Sequence, residues 1–151
     1  TGMKRSLTDG GIRVPMLAWW PGTIAPGGET ARVGYHGDLM ATVAEVAGAS
    51  VPTGLDSISL VPTLKSQTMQ RRHEFLYWEF HEGGFRQACL YQERWKGIRA
   101  AGSELQLYDT DNDVAEQTDV ASTHPNVARA VSDYLDTART VSEHWEPKRQ
   151  Q

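Results

Sequence analysis

The sequence has 151 residues, 39% of them hydrophobic and 23% charged, with a formal net charge of −4 at pH 7. This length favours one ordinary domain, and the composition is that of a folded, soluble protein rather than a disordered one. No basic stripe offsets the acidic charge, so the sequence gives no electrostatic case for nucleic-acid binding. No apolar run is long enough to cross a bilayer and no signal peptide is recognisable, so we expect no membrane contact.

The N-terminal segment predicts a loop followed by a buried strand. A basic, polar stretch contains the pair Gly10-Gly11 and leads into an apolar run, 14–20, that stops at a Pro-Gly turn. An apolar run of strand length between turn signals predicts a strand buried on both faces, as in an α/β sheet. The glycine pair predicts either a positive φ or a close approach of two backbone segments.

A helix is predicted next, over 36–48, after a glycine-rich surface loop. Asp38 falls near its start, where an acidic residue is favoured, and Gly48 is a natural stop. The apolar positions at helical spacing are Leu39, Met40, Val43, Val46 and Ala47. Loop, strand and helix together predict the closing part of an α/β layer. The proline-containing stretch that follows predicts one short helical turn near 59–64.

The second half of the chain predicts a small α+β unit. The polar and basic residues of 66–72 mark a candidate boundary between 1–66 and 67–151. Four short strands follow, at 74–80, 86–91, 95–99 and 104–108. A last helix is predicted to cover one face of the resulting sheet, because four antiparallel strands with an exposed apolar face are not stable alone.

The last helix has one apolar stripe. Its members are Val127, Val131, Tyr134, Leu135, Ala138 and Val141. Thr123 is the predicted cap, and Pro125 falls in the first turn, where its missing N–H is tolerated. The polar tail after Glu143 is predicted to fray.

Metal and thiol chemistry have little support in the sequence. The single cysteine, Cys89, excludes an intrachain disulfide, and we interpret it as a small half-buried apolar residue. The five histidines show neither the i, i+4 nor the close hairpin spacing that zinc sites favour, so no metal site is predicted. The acidic run 109–113 resembles a calcium loop, but the required glycine and twelfth-position acid are missing. We interpret this run as a solvated turn.

A series of short motifs runs in order along the chain. Residues 4–22 are similar to the pattern K-x-x-x-Y-E-G-G-x-R-x-P-x-x-x-x-W-P-G, 38–48 to D-L-x-P-T-x-x-x-x-A-G, and 56–62 to D-G-x-S-L-x-P. The later motifs are Tyr77-Trp78-Glu79-Phe80-His81, Trp95-Lys96, Leu107-Tyr108-Asp109 and His124-Pro125. This ordered series resembles the sulfatase family of sulfuric ester hydrolases. The resemblance implies an α/β fragment, the last strand and helix of a catalytic domain, followed by the four-stranded C-terminal subdomain with its helix.

The resemblance implies an active-site role for Lys4. This residue lies seven positions before Gly11, where the family has its active-site lysine. A lysine ammonium is a compact cation that stabilises negative charge on the oxygens of a transferring sulfuryl group. Without the resemblance, a solvated surface lysine would be the ordinary interpretation.

The rest of the motif is interpreted as structural. Its members are Gly10, Gly11 and Arg13. We expect Arg13 to hold the loop by bridging backbone carbonyls or a carboxylate. Asp9 and Thr8 stand where the family usually has glutamate and tyrosine. The acidic run 109–116 is similar to the family's D-x-x-x-D-P-x-E turn, with Val114 in place of the proline.

An aromatic and polar set lies on the predicted sheet. Its members are Trp78, Glu79, His81, Arg86 and Trp95. Such sets bind sugars or aryl groups, and in the resembling enzymes this subdomain borders the active-site cleft. We interpret Trp78 and Trp95 as packing beneath the last helix and take His81 as a candidate substrate-binding residue.

The resemblance implies a formylglycine nucleophile and a calcium ion in the intact enzyme. The motif of the residue converted to formylglycine, C/S-x-P-x-R, does not occur in this sequence, and the family's calcium ligands have no counterpart in it. We therefore expect no cofactor in the chain itself and no activity from it alone. The resemblance also implies a periplasmic, extracellular or lysosomal location.

Three functions stay open at this point. The first is part of a sulfatase that hydrolyses an aryl or glycan sulfate ester. The second is a non-catalytic accessory or interaction module with the same fold, and the third is a related phosphonate or phosphodiester hydrolase. Because most of the sheet around 14–20 would be absent, that apolar run also predicts a homo-oligomer formed through it, or its rearrangement.

Overall fold

A computed structural model describes residues 1–146. The described residues form two compact units, one made of 1–14 with the part from Glu74 onward and the other of 15–73. The helices are α1 (Asp9–Ile12), α2 (Asp38–Val46), α3 (Val61–Leu64) and α4 (Pro125–Thr137). The strands are β1 (Phe75–Phe80), β2 (Arg86–Tyr91), β3 (Trp95–Ala100) and β4 (Gln106–Asp109). The boundary at 66–67 stays a prediction, although this division places 1–14 with the sheet.

The first unit is built on a four-stranded antiparallel sheet in the order β1-β2-β3-β4. Its connections are short reversals, with positive φ at Gly83 and Gly84 in the first and at Gln92 and Glu93 in the second. Such backbone angles turn the chain tightly enough for neighbouring strands to pair. The predicted strands and the sheet-plus-helix fold of this half are confirmed.

Helix α4 covers one face of the sheet. Val131 and Leu135 are buried in one cluster with Cys89, Trp95 and Leu107 from the strands. Strand alternation places these three strand residues on the same face, because Cys89 pairs with Gly97 and Gly97 with Leu107. The predicted packing of the last helix across the sheet is therefore confirmed.

The two ends of α4 differ from the prediction. Thr123 is not the cap, since the helix begins after His124 and the Thr123 hydroxyl donates instead to the carbonyl of Val120. Val141 is 84% exposed because the helix ends at Thr137, before the predicted stripe is complete. The fraying predicted beyond Glu143 falls largely on 147–151, outside the described residues.

Gly97 sets how closely α4 approaches the sheet. A Cβ atom at this position would lie 2.2 Å from Cγ1 of Val131. We expect Gly97→Ala to destabilise the chain by about 2 kcal/mol in urea unfolding, because the helix would have to move outward. Adding Val131→Ala to Gly97→Ala removes the clash. The free energy of unfolding of the double variant is therefore expected to fall by less than the sum of the two single losses. Additive losses would contradict this packing.

Helix α2 of the second unit is confirmed, but its buried face is not the predicted one. Met40, Val43 and Val46 are exposed, whereas Ala41 and Thr42 are buried. The buried side is the one that bonds to the chain beyond the helix: the N–H of Leu60 donates to the Thr42 hydroxyl at 2.9 Å. Periodicity identified the helix, but polar contacts made later in the sequence decided which side faces inward.

Asp38 is the buried anchor of this second unit. Its carboxylate is fully buried and accepts hydrogen bonds from the backbone N–H groups of Tyr35 and Ile58. The ring nitrogen Nε2 of His73 lies 2.8 Å from the same carboxylate. These bonds satisfy a charge that would otherwise be costly to bury. Asp38 therefore does more than the favourable first-turn acid that the sequence predicted.

The apolar run 14–20 is not a strand, so that prediction is wrong for the chain as described. Leu17 is 97% exposed and Trp19 is 88% exposed. A strand forms only where a neighbour completes its ladder of hydrogen bonds, and among residues 1–146 the strand pairs are confined to the four-stranded sheet. The homo-oligomer expected through this run stays a prediction.

None of the helices within residues 1–146 has the length and apolar character needed to cross a membrane.

Candidate functional site

Lys4 lies in a closed loop that precedes α1. The loop is closed by backbone hydrogen bonds, from the N–H of Gly10 to the carbonyl of Thr1 at 2.8 Å and from the N–H of Ser6 to the carbonyl of Met3 at 2.9 Å. Arg5 has a φ of 75°, an unusual value for a residue with a side chain. Lys4 therefore lies in a loop closed by hydrogen bonds rather than in an extended segment without them.

The glycine pair is required by close packing of the backbone. A Cβ atom on Gly10 would lie 2.3 Å from the carbonyl oxygens of Gly2 and Thr1, and one on Gly11 would lie 2.2 Å from that of Ser6. Neither glycine has a positive φ. Of the two expectations for this pair, the close backbone approach is thus the one that the structure shows.

A buried ionic cluster fastens this loop to the sheet. Nζ of Lys96 lies 2.8 Å from Oδ1 of Asp9 and 3.5 Å from Oε1 of Glu116. The N–H of Asp9 also donates to Oε2 of Glu116 at 2.8 Å. The side chain of Lys96 is only 1% exposed, and its ammonium lies 5.5 Å from the centre of the Trp78 ring. We call these three residues the Asp9–Lys96–Glu116 cluster.

The cluster holds Asp9 in its charged form. Burial by itself would raise the pKa of Asp9, but the hydrogen bond and charge of Lys96, with a smaller effect from Arg13, lower that pKa below its ordinary value. Nη1 of Arg13 lies 3.3 Å from Oδ2 of Asp9, and the arginine side chain is 66% exposed. Arg13 thus bridges a carboxylate of the loop, one of the two contacts expected for it.

The ammonium of Lys4 is exposed and has neither a hydrogen bond nor an ion pair within the described part of the chain. The neighbouring Arg5 differs, because its guanidinium forms an exposed ion pair with Glu82 at 2.8 Å. The loop therefore offers one uncompensated cation next to a compensated one. A cation in that position can bind an anion without first breaking an internal ion pair.

His81 lies in a separate polar cluster at the end of β1. Its Nε2 is 3.0 Å from Oε1 of Glu79, and the other carboxylate oxygen accepts from the Tyr77 hydroxyl at 2.9 Å and from Nε of Arg139 at 3.0 Å. The imidazole is 15% exposed and packs against Phe85. Among residues 1–146 no contact joins His81 to Lys4, and the substrate-binding role of His81 stays a prediction.

The pKa values in this polar cluster follow from its burial and its bonds. Burial raises the pKa of Tyr77 to about 12, so its phenol stays protonated and donates to Glu79. Burial alone would raise the pKa of Glu79, but hydrogen bonds from His81 and Tyr77 and the charge of Arg139 lower it below its ordinary value. The cluster is thus a carboxylate neutralised by its neighbours.

The two tryptophans of the aromatic set lie on opposite faces of the sheet. Trp95 belongs to the core beneath α4, as predicted, and its ring contacts that of His124. Trp78 alternates with Tyr77 along β1 and lies over Lys96 on the other face. The prediction that Trp78 packs beneath the last helix is therefore wrong, since its position in the strand points it away from α4.

The acidic run 109–113 begins at the last residue of β4 and forms a turn that is hydrogen-bonded as well as partly solvated, since the side chain of Asp111 is 64% exposed. Nε and Nη2 of Arg94 donate to the two carboxylate oxygens of Asp109 at 2.8 and 2.6 Å. The hydrogen bond with Arg94 is the main reason why the pKa of Asp109 lies well below its ordinary value. Asp113 accepts from the N–H groups of Gln117 and Thr118, and Glu116 is buried in the cluster described above.

No group of three or more histidine, cysteine, aspartate or glutamate side chains within residues 1–146 is arranged to hold a metal ion.

Cys89 is fully buried in the core beneath α4, where burial raises the pKa of its thiol to about 12. It is an inert apolar residue, as the sequence predicted, and more deeply buried than expected.

Sequence reasoning did not identify Lys96 and Glu116 as parts of the site. Lys96 lies in the Trp95-Lys96 motif, and Glu116 ends the acidic turn that begins at Asp109. The alternation of β3 could have placed Lys96 on the face opposite α4, because Trp95 and Gly97 both face the helix. Its pairing with Asp9, 87 positions earlier, has no signal in local spacing.

Comparison with known proteins finds a matching family model and named relatives. Residues 3–141 match the family model of the C-terminal part of N-sulphoglucosamine sulphohydrolase. Steryl-sulfatase of Rattus norvegicus is 42% identical over 78 residues, which are 50% of this chain and 14% of that protein. Arylsulfatase A of Bos taurus is 40% identical over 76 residues, which are 50% of this chain and 15% of that protein. The chain thus spans about one seventh of these relatives.

Solved structures show the same fold. A 2-O GAG sulfatase superimposes with a TM-score of 0.57 and 26% identity, over 67% of this chain and 23% of that one. The phosphonate monoester hydrolase of Agrobacterium radiobacter superimposes with a TM-score of 0.51 and 21% identity, over 75% of this chain and 28% of that one. The second likeness concerns the fold alone.

Proposed function

This chain belongs to the sulfatase family, because residues 3–141 match the family model of the C-terminal part of N-sulphoglucosamine sulphohydrolase. On that premise we propose that the protein containing the chain hydrolyses a sulfate ester with the help of Lys4. The substrate class is an aryl or glycan sulfate. The same proposal includes the periplasmic, extracellular or lysosomal location that the resemblance implies.

The single observation that supports this role is the uncompensated ammonium of Lys4 on a fastened loop. The loop is closed by its own backbone bonds and tied to the sheet by the Asp9–Lys96–Glu116 cluster. A cation held in place before the substrate arrives stabilises developing negative charge without reorganising, which is the most effective form of electrostatic catalysis. Lys4 would bind the sulfuryl oxygens in the ground state and more tightly as their charge grows.

The nucleophile and the metal are assigned to parts of the protein outside this sequence. The family's formylglycine would supply the attacking oxygen and its calcium ion would neutralise the sulfate. This sequence has no C/S-x-P-x-R motif, and among residues 1–146 no group of three or more histidine, cysteine, aspartate or glutamate side chains is arranged to hold a metal ion. Within this chain, Lys4 contributes charge, and the glycine pair with Asp9 and Arg13 keeps its loop in shape. The 151-residue chain by itself is proposed to be inactive.

An activity screen of the protein expressed with everything encoded upstream of this sequence tests the proposal. We expect hydrolysis of p-nitrophenyl sulfate to exceed that of a p-nitrophenyl phosphonate ester, and the intact mass to show conversion of an upstream cysteine or serine to formylglycine. The 151-residue chain serves as the matched control without activity. Faster phosphonate turnover would favour the related hydrolase, and a protein inactive on both esters would favour the accessory module.

A further inference from the structure

We infer that Lys96 is a positioning residue for Lys4: its buried ammonium fixes Asp9, and through Asp9 it fixes the loop that carries Lys4. The inference rests on the proposed function, because it concerns the placement of the cation assigned there. Lys96 itself is buried and reaches no substrate, so it would act on the reaction through the loop alone.

The geometry links three distant parts of the chain. Lys96 is the second residue of β3, Asp9 begins α1, and Glu116 comes from the turn after β4. The ammonium of Lys96 contacts both carboxylates, and the carboxylate of Glu116 also accepts a hydrogen bond from the backbone N–H of Asp9. Lys96 therefore holds the side chain of Asp9, and Glu116 holds its backbone. Two contacts of this kind fix both the position and the orientation of the residue that opens α1.

The loop has few other anchors. Among residues 1–13 only Leu7 is buried, and α1 contains no buried residue. The hydroxyl of Thr1 donates to the carbonyl of Ala115, next to Glu116. The hydrogen bonds that close the loop are made within the segment itself, and the ion pair of Arg5 with Glu82, in the turn after β1, is exposed and contributes little. The location of Lys4 on the sheet unit therefore depends mainly on Leu7 and the ionic cluster.

The cost of the cluster indicates a role beyond stability. Burying three ionised side chains is expensive, and well-packed apolar residues stabilise a fold as well or better. Glu116 also adopts a φ of 51°, a strained value for a residue with a side chain, and its Oε1 has no hydrogen bond, with Lys96 at 3.5 Å as its counter-charge. The directional contacts of this cluster hold the loop in one position, whereas an apolar contact, which has no preferred direction, would allow several.

A double-mutant cycle on the full-length enzyme tests the inference. The variants are Lys96→Met, Lys4→Ala and the two combined, assayed for kcat/KM on p-nitrophenyl sulfate. We expect Lys96→Met to lower kcat/KM about 10- to 100-fold, because misplacing a catalytic group by about an ångström costs that much. Since Lys96 acts through Lys4, the double variant is expected to match Lys4→Ala alone.

The outcomes separate this inference from the proposed function. If Lys4→Ala leaves the rate unchanged, the assignment of Lys4 fails and the inference loses its premise. If Lys4→Ala lowers the rate but the losses of the two variants multiply, or Lys96→Met has no effect, the inference alone is overturned. Lys96→Arg keeps the charge and is expected to recover part of the rate.

Hydrogen exchange distinguishes positioning from general stability. In Lys96→Met we expect faster exchange of the Gly10 and Gly11 amides, with the amides of β2 unchanged. Faster exchange throughout the sheet would show a merely structural role and overturn the inference. If Lys96→Met does not fold, Asp9→Asn replaces it in both experiments, because the amide keeps the shape and loses the charge. Arg129→Ala, an exposed site on α4, is the matched control.

Discussion

Replacing Lys4 with alanine in the full-length protein is expected to lower kcat/KM for an aryl sulfate about 100- to 1,000-fold. Removing one fixed group that stabilises charge in the transition state typically lowers kcat by about this factor. Most of the loss should fall on kcat, because the charge on the sulfuryl oxygens grows as the ester bond breaks. Steady-state kinetics on p-nitrophenyl sulfate measures both constants.

The control for this variant is Lys65→Ala, which removes another exposed ammonium from the end of α3. Its kcat/KM is expected to stay within about twofold of the unmodified protein. Thermal unfolding should be unchanged in Lys4→Ala and little changed in Lys65→Ala, whose ammonium makes a surface contact, 5.8 Å from the centre of the Trp20 ring. Equal kinetic losses in the two variants, or no loss in Lys4→Ala, would refute the role of Lys4.

The largest stability effect is expected at Leu135. Its side chain is 1% exposed and lies in the cluster with Cys89 and Leu107 beneath α4. Leu135→Ala removes buried methyl groups and leaves a cavity that the rigid sheet cannot fill, so we expect a loss of about 3 kcal/mol in the free energy of unfolding. Urea unfolding of the chain, followed by tryptophan fluorescence, measures this loss.

Val141 provides the matched comparison. The sequence places it in the same apolar stripe as Leu135, but it lies beyond the helix end and is 84% exposed. Val141→Ala is therefore expected to change the free energy of unfolding by less than about 0.5 kcal/mol. A large effect at Val141 together with a small one at Leu135 would mean that α4 packs in a different register.

The second half of the fold was predictable because its signals are local. Alternating aromatic and aliphatic residues define each strand, and turn residues separate neighbours, as Glu82-Gly83-Gly84 does between β1 and β2. The stripe through Val131 and Leu135 then identifies the only apolar face of the last helix. Pattern and pairing agree here, since each strand pairs with its neighbour in sequence.

The first half shows where such patterns are insufficient. The run 14–20 has the composition of a buried strand, but a strand requires a partner, and the described residues do not provide one. In α2 the periodic apolar residues face outward, because the hydrogen bonds of Asp38 and Thr42 with the segment that contains Ile58 and Leu60 decide the buried side. Composition predicts what a segment could bury, not what is available to cover it.

For the site, the sequence by itself determined the identity of the loop: a lysine, a glycine pair and an arginine in fixed order. Tertiary structure alone decided how that loop is held. Asp9, Lys96 and Glu116 meet from three separate elements, and a contact across such separations depends on the paths of β3 and β4 rather than on any local preference. Charge pairing has no periodicity of its own, so only the folded chain shows which carboxylates the buried ammonium of Lys96 binds.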